Sequence, residues 1–167
     1  MSPTNLIATG RAGSAVLLGI SLALVFAVAA LGGAASASGL RDWYDELDKA
    51  PWNPPGWVFG PAWTLLYVLM AVAALLVART GLDQRSVQIA LVLYVAQLAL
   101  NLSWPLLFFG ARAPGWALVD IVALCVLVAV TAVAFYRIDS LAGWILAPYL
   151  AWILFATSLN LWIVLKN

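Results

Sequence analysis

The stretch WYDELDKAPWNPPGWVFGPAWTLLY, residues 43–67, decides the fold. It holds four of the chain's nine tryptophans, two tyrosines and four prolines in 25 residues. Proline fixes φ and removes a backbone donor, so Pro51, Pro54 and Pro55 hold Trp52 and Trp57 on a stiff segment rather than a flexible linker. Asp42, Asp45, Glu46 and Asp48 are interleaved with Arg41, Trp43, Tyr44 and Lys49, which gives a short helix a solvent face and an apolar face. Two parts follow. Residues 43–56 are expected to form a lid over a cavity, and residues 57–67 to begin a membrane span whose Trp63 points into it. An aromatic belt anchored at headgroup level is the plainer reading, and the two are compatible.

Working outward, the rest of the chain is apolar. Of its 167 residues 65% are hydrophobic and 9% charged, against about 25% charged in soluble domains. That composition places the chain in a membrane. A net charge of +1 argues against nucleic acid as a partner. The single cysteine, Cys125, excludes an internal disulfide and reads as a packing residue. With no histidine the chain has few candidate metal ligands, and neither a metal site nor a resident cofactor is expected.

A helix needs roughly 20 apolar residues to cross a bilayer. Runs of that kind predict spans at about 12–35, 57–78, 87–109, 116–135 and 141–165, separated by short polar turns. The expected fold is an all-α membrane protein: one domain, a bundle of five transmembrane helices with a long structured loop between the first and second. The first run also has features of a signal peptide, with Arg11 before it and Ala35-Ser36-Ala37 after it, but it exceeds the roughly 7–15 residues of a signal core. Ala15, Gly19 and Ala23, four apart, would permit close helix contact. Lysine and arginine divide four against four between the two sides, so charge does not orient the chain.

Residues three and four apart share a helix face. Trp63, Tyr67, Met70 and Ala74 form one stripe on the second span, and Gln97, Asn101, Trp104 and Phe108 form one on the third. Asp120, Leu124, Leu127 and Thr131 align on the fourth; Tyr149, Trp152, Ala156 and Asn160 align on the fifth. An unsatisfied amide or carboxyl is costly in hydrocarbon, so these faces should turn inward. Gln97 alone reads as interhelical glue. Together, however, Trp63, Asn101, Trp104, Asp120 and Asn160 fall in the membrane half beside residues 43–56. A pocket rich in rings with a few amides suits a flat, apolar ligand with a polar rim. Asp120, the ionisable side chain within a span, is either a ligand contact or the partner of Arg112 or of loop donors.

Three segments, WYDELDKAPWNPPGWVFGPAWTLLYVLM, YVAQLALNLSWPLLFFG and PYLAWILFATSLN, resemble the translocator protein family, also called tryptophan-rich sensory proteins (TspO/MBR). The resemblance covers about residues 40–165. It implies a five-helix bundle, usually a homodimer, with a cavity beneath the first loop that takes porphyrins or haem and, in some members, sterols and benzodiazepine-type ligands. It also implies that Tyr44, Pro54, Trp63, Asn101, Trp152 and Ala156 line the cavity, and that Trp63 and Trp152 match tryptophans linked with porphyrin breakdown in some bacterial members. The full candidate set adds Trp52, Tyr67, Gln97, Trp104, Asp120, Tyr149 and Asn160. Two departures stand out: Ala50 separates Lys49 from Pro51, and LNLWIVLK, residues 159–166, lacks the tyrosine of the animal sterol motif.

The expected function is binding of a tetrapyrrole by a receptor or carrier in the membrane. Light- or oxygen-dependent porphyrin degradation and small-molecule transport are the alternatives, and no acid, base or metal constellation marks a conventional enzyme.

Overall fold

A computed structural model of the chain describes residues 43–167, residues 25–28 and 30–34, and positions 19, 21 and 23. Most of the predicted first span, the cleavage-site reading at 35–37, and Ala15, Arg11 and Arg41 lie outside the described residues. The described part of that span contains an apolar helix, α1 (Val25–Ala34). Its Val25 and Val28, three apart, are buried against the other helices.

Among the described residues, four helical segments are long and apolar enough to cross a membrane: Gly56–Ala78, Arg85–Gly110, Pro114–Ile138 and Ser140–Lys166. Each contains one predicted run and extends past it at some ends by one to three residues. Residues 43–55 hold a short helix, α2 (Trp43–Glu46), then non-helical chain. Ala50, the residue that separates Lys49 from Pro51, is buried, and its carbonyl accepts from the Asn53 N–H at 2.8 Å. Pro51 at the second position of that turn has the φ the turn requires. A 3₁₀ turn at Gly56–Val58 then leads into α3 (Phe59–Ala78).

Prolines set the irregularities of the other spans. The helix α4 (Arg85–Pro105) passes into a π turn at Leu106–Gly110, where Ala111 N–H bonds Leu106 O at 2.8 Å. Pro105 has no N–H to return to the preceding turn, and the widened turn swings Phe108 and Phe109 inward. The helix α5 (Pro114–Ile138) begins on a proline, which suits a first helical turn. Asp139 ends it and caps the next helix, accepting from Ala142 N–H at 2.9 Å. The last span is not one continuous helix as the apolar run suggests. It is α6 (Ser140–Ile145) followed by α7 (Ala147–Lys166), because Pro148 cannot donate to the turn before it.

Met70, Tyr94, Leu124, Phe135, Tyr149 and Ile153 anchor a core shared by α3, α4, α5 and α7. Large apolar side chains such as Leu65, Val92, Val126 and Leu154 face outward. An outward surface of this kind is at home in lipid, and the pattern is that of a multi-pass membrane protein. A very close approach joins α6 to α5: a Cβ on Gly143 would lie 2.5 Å from Tyr136 Cβ and 2.7 Å from its Cα.

Candidate functional site

Three of the predicted stripes, those on α3, α4 and α7, contribute side chains to a cavity of about 870 Å³, which α1, α5 through Ile121, and segment 43–55 also bound; the stripe on α5 does not reach it. Tyr44, Pro54, Trp63, Tyr67, Asn101, Trp104, Trp152, Ala156 and Asn160 all line it. The helix period explains this grouping: Trp63 and Tyr67, Asn101 and Trp104, and Trp152, Ala156 and Asn160 stand three or four apart on their helices.

Rings make up much of the wall. Trp63 packs beside Tyr67, centroids 5.5 Å apart, and meets Tyr149 edge-on at 6.3 Å. Trp104 stacks on Phe108 at 4.9 Å, and Trp152 meets Phe59 edge-on at 5.9 Å. Two amides hold fixed orientations among them. Asn101 accepts from Tyr67 Oη at 2.7 Å and donates to Tyr149 Oη at 3.0 Å. Asn160 accepts from Trp104 Nε1 at 3.0 Å and donates to the Pro114 carbonyl at 2.9 Å. The indole N–H of Trp152 is buried and has no hydrogen-bond acceptor among the described residues.

Four candidates stand elsewhere. Tyr149, fully buried, lies behind the wall and donates to Gln97 Oε1 at 2.8 Å, while Gln97 Nε2 reaches Met70 Sδ at 3.8 Å. These two extend the Asn101 network into the core, because their positions on the helices fall deeper than Tyr67 and Asn101. Asp120 takes a 2.6 Å hydrogen bond from Ser103 Oγ across the α4–α5 interface and does not line the cavity. Of the alternatives open for Asp120, the pairing with Arg112 is not formed: Arg112 is exposed in the connector, at φ 52°. Trp52 sits outside the cavity, donating from Nε1 to Ser158 Oγ at 3.3 Å and meeting Trp162 edge-on at 5.2 Å. It fastens segment 43–55 to α7.

Several wall residues are not singled out by the stripes. Phe59 is one turn before Trp63 and would have extended its stripe. Phe109 comes inward through the π turn. Asp45, Lys49 and Asn53 belong to a segment with no long period. There the Tyr44 phenol donates to Asn53 Oδ1 at 3.3 Å; burial pushes its pKa up, the hydrogen bond to Asn53 lowers it and nearby Asp45 raises it further. Cys125 is partly buried beside Thr157, with 3.5 Å between Sγ and Oγ1.

Comparison with known proteins agrees with this architecture. The model of the TspO/MBR family matches residues 21–165. The chain is 48% identical over 124 residues to the human translocator protein, covering 73% of this chain and 72% of that protein. It is 39% identical over 153 residues to the tryptophan-rich protein TspO of Chlorobaculum tepidum, covering 92% and 94%. With the tryptophan-rich sensory protein of Cereibacter sphaeroides it shares 46% identity over 120 residues, 71% of this chain and 73% of the other. The aromatic segment, the apolar helices and the matches over most of the chain lead to one assignment: the chain is a multi-pass integral membrane protein and belongs to the TspO/MBR family.

Proposed function

We propose that the chain binds a tetrapyrrole within the membrane, as a porphyrin or haem receptor or carrier. In this reading residues 12–35 supply a first span that completes a five-helix bundle, and residues 43–55 close the cavity as a lid. The observation that carries it is the cavity of about 870 Å³ walled by Trp63, Trp104 and Trp152. Small-molecule sites occupy about 300–1,000 Å³ and combine apolar walls with a few placed polar groups. A flat conjugated ring can lie against the indoles. The names of the relatives, translocator and sensory protein, fit a carrier or receptor.

Binding is read by tryptophan fluorescence. Protoporphyrin IX should quench it saturably, with a weaker effect in Trp63→Phe or Trp152→Phe. Quenching that never saturates and ignores both changes would defeat the proposal.

A second reading, light- or oxygen-dependent porphyrin degradation, draws on Trp63 and Trp152 both lining this cavity. New absorption bands should then form under illumination in air and be lost in Trp63→Phe. Bands equal to those of a free-tryptophan control would count against catalysis.

A further inference from the structure

We propose that Lys49 is the carboxylate-binding group of this cavity and that Asp45 is its built-in competitor. The inference rests on the tetrapyrrole reading and adds how the ligand is oriented and which chemical class is preferred. Among the described residues that line the cavity, Asp45 and Lys49 carry the charge, and Lys49 is the cation. They stand on the 43–55 segment, whereas the indoles Trp63 and Trp152 stand on α3 and α7.

Lys49 is loosely engaged. Its Nζ lies 3.3 Å from Asp45 Oδ1 and 3.4 Å from the Asp45 carbonyl oxygen. Well-formed charge-assisted N–H···O bonds are shorter, about 2.7–2.9 Å. The two side chains are 26% and 72% exposed, and exposed pairs at i, i+4 hold weakly. The ammonium also rests 4.8 Å from the centroid of the Tyr44 ring, which replaces part of its hydration shell with an aromatic face. An ammonium has three donors and no acceptor role, so a carboxylate entering from the cavity can displace Asp45 without leaving the ammonium unpaired. Asp45, 72% exposed on its side chain, then returns to water.

The neighbouring polar groups favour the same end for the anion. Asn53 Nδ2 donates to the Pro54 carbonyl at 3.3 Å, a long bond that a carboxylate could replace. A tetrapyrrole acid carries its carboxylates on one edge of an apolar ring. Its ring would lie among Trp63, Trp104 and Trp152, with the acidic edge under residues 43–55. Esters of the same ring keep the stacking and lose the charge. The site should therefore select acids over esters, and Asp45 should weaken that selection by competing for Lys49.

The test compares the free diacid protoporphyrin IX with its dimethyl ester, binding to the full chain in nanodiscs by tryptophan quenching. Lys49→Met should weaken the diacid about three- to tenfold and leave the ester unchanged, in keeping with the loss of one charge-assisted contact. Lys49→Arg should retain the diacid. Asp45→Asn should tighten it, a gain that misfolding cannot produce, and added salt should weaken the diacid more than the ester. Equal losses for diacid and ester in Lys49→Met, or none for either, would overturn the role of Lys49 while leaving tetrapyrrole binding intact. Absence of saturable binding of both compounds to the unmodified chain would overturn the tetrapyrrole reading, and this inference with it.

Discussion

Tyr67 of α3 and Asn101 of α4 are joined by a 2.7 Å hydrogen bond, and the same amide continues to Tyr149 of α7 at 3.0 Å. One side chain therefore ties three helices at the cavity wall. Interhelical hydrogen bonds in membrane proteins average about 0.6 kcal/mol, whereas a buried group left unpaired costs about 1–3 kcal/mol. Tyr67→Phe should cost about 1 kcal/mol. Asn101→Leu should cost more, about 2–3 kcal/mol, because it strips Tyr67 of its acceptor and Tyr149 of a donor at once. Thermal unfolding in detergent measures both, and an Asn101→Leu protein as stable as Tyr67→Phe would show that the amide is not the joint.

Gly143 is where α6 meets the backbone of α5. A Cβ there would fall 2.5–2.8 Å from the Cβ, Cα and N of Tyr136. Backbone cannot rotate out of the way as a side-chain tip can, so Gly143→Ala should destabilise by about 1–3 kcal/mol, the usual range for overpacking. Gly115, in the first turn of α5, offers open space instead: a Cβ added there would meet no described atom within 4 Å. Gly115→Ala should be neutral or slightly stabilising, since alanine is the better helix former. The pair of melting temperatures decides it. Equal effects at both glycines would remove the close-contact explanation.

Asn160 clamps Trp104 of α4 to the start of α5, through Trp104 Nε1 at 3.0 Å and the Pro114 carbonyl at 2.9 Å. Asn160→Leu leaves the part-buried Trp104 indole N–H without its acceptor and takes one donor from the Pro114 carbonyl, which should cost about 1–2 kcal/mol. Asn160→Asp keeps an acceptor for Trp104 but turns a carboxylate oxygen toward the Pro114 carbonyl. That change should also destabilise, and more so at high pH than at low, where the protonated carboxyl can donate. A pH-independent melting temperature for Asn160→Asp would contradict the assigned amide orientation.

Much of this site was legible because helices repeat. Trp63 and Tyr67, Asn101 and Trp104, and Trp152, Ala156 and Asn160 are spaced so that an inward polar or aromatic group implies the direction of its neighbour. Depth along the helix was harder to read: Gln97 and Tyr149 share those faces yet sit behind the wall, since period fixes direction and not the distance to a cavity. Asp120 shows another limit. Its partner, Ser103, belongs to a different helix and 17 positions earlier, and periodicity within one helix does not choose between it and Arg112. Lys49 and Asn53 were harder still, because the turn at Ala50–Asn53 and the prolines around it set their positions.

The last prediction concerns how residues 43–55 are fastened. Trp52 donates to Ser158 Oγ at 3.3 Å and meets Trp162 at 5.2 Å, while the Asp48 N–H bonds Asn167 Oδ1 at 2.9 Å. Both fastenings lie on α7 or directly after it, and between them is the Lys49–Ala50 bond, a site for trypsin. Ala50 is buried, so cleavage there requires the segment to lift. When opening and closing are fast, proteolysis follows the population of the open form. Trp52→Ala removes the hydrogen bond and the ring contact, and should speed cleavage after Lys49 severalfold. Trp52→Phe keeps a ring against Trp162 and should fall between Trp52→Ala and the unmodified chain; Asn167→Ala should act in the same direction through Asp48. Mass spectrometry of timed digests identifies the cut. If all these proteins are cleaved after Lys49 at one rate, these contacts do not hold the segment down, and access to the cavity is controlled elsewhere.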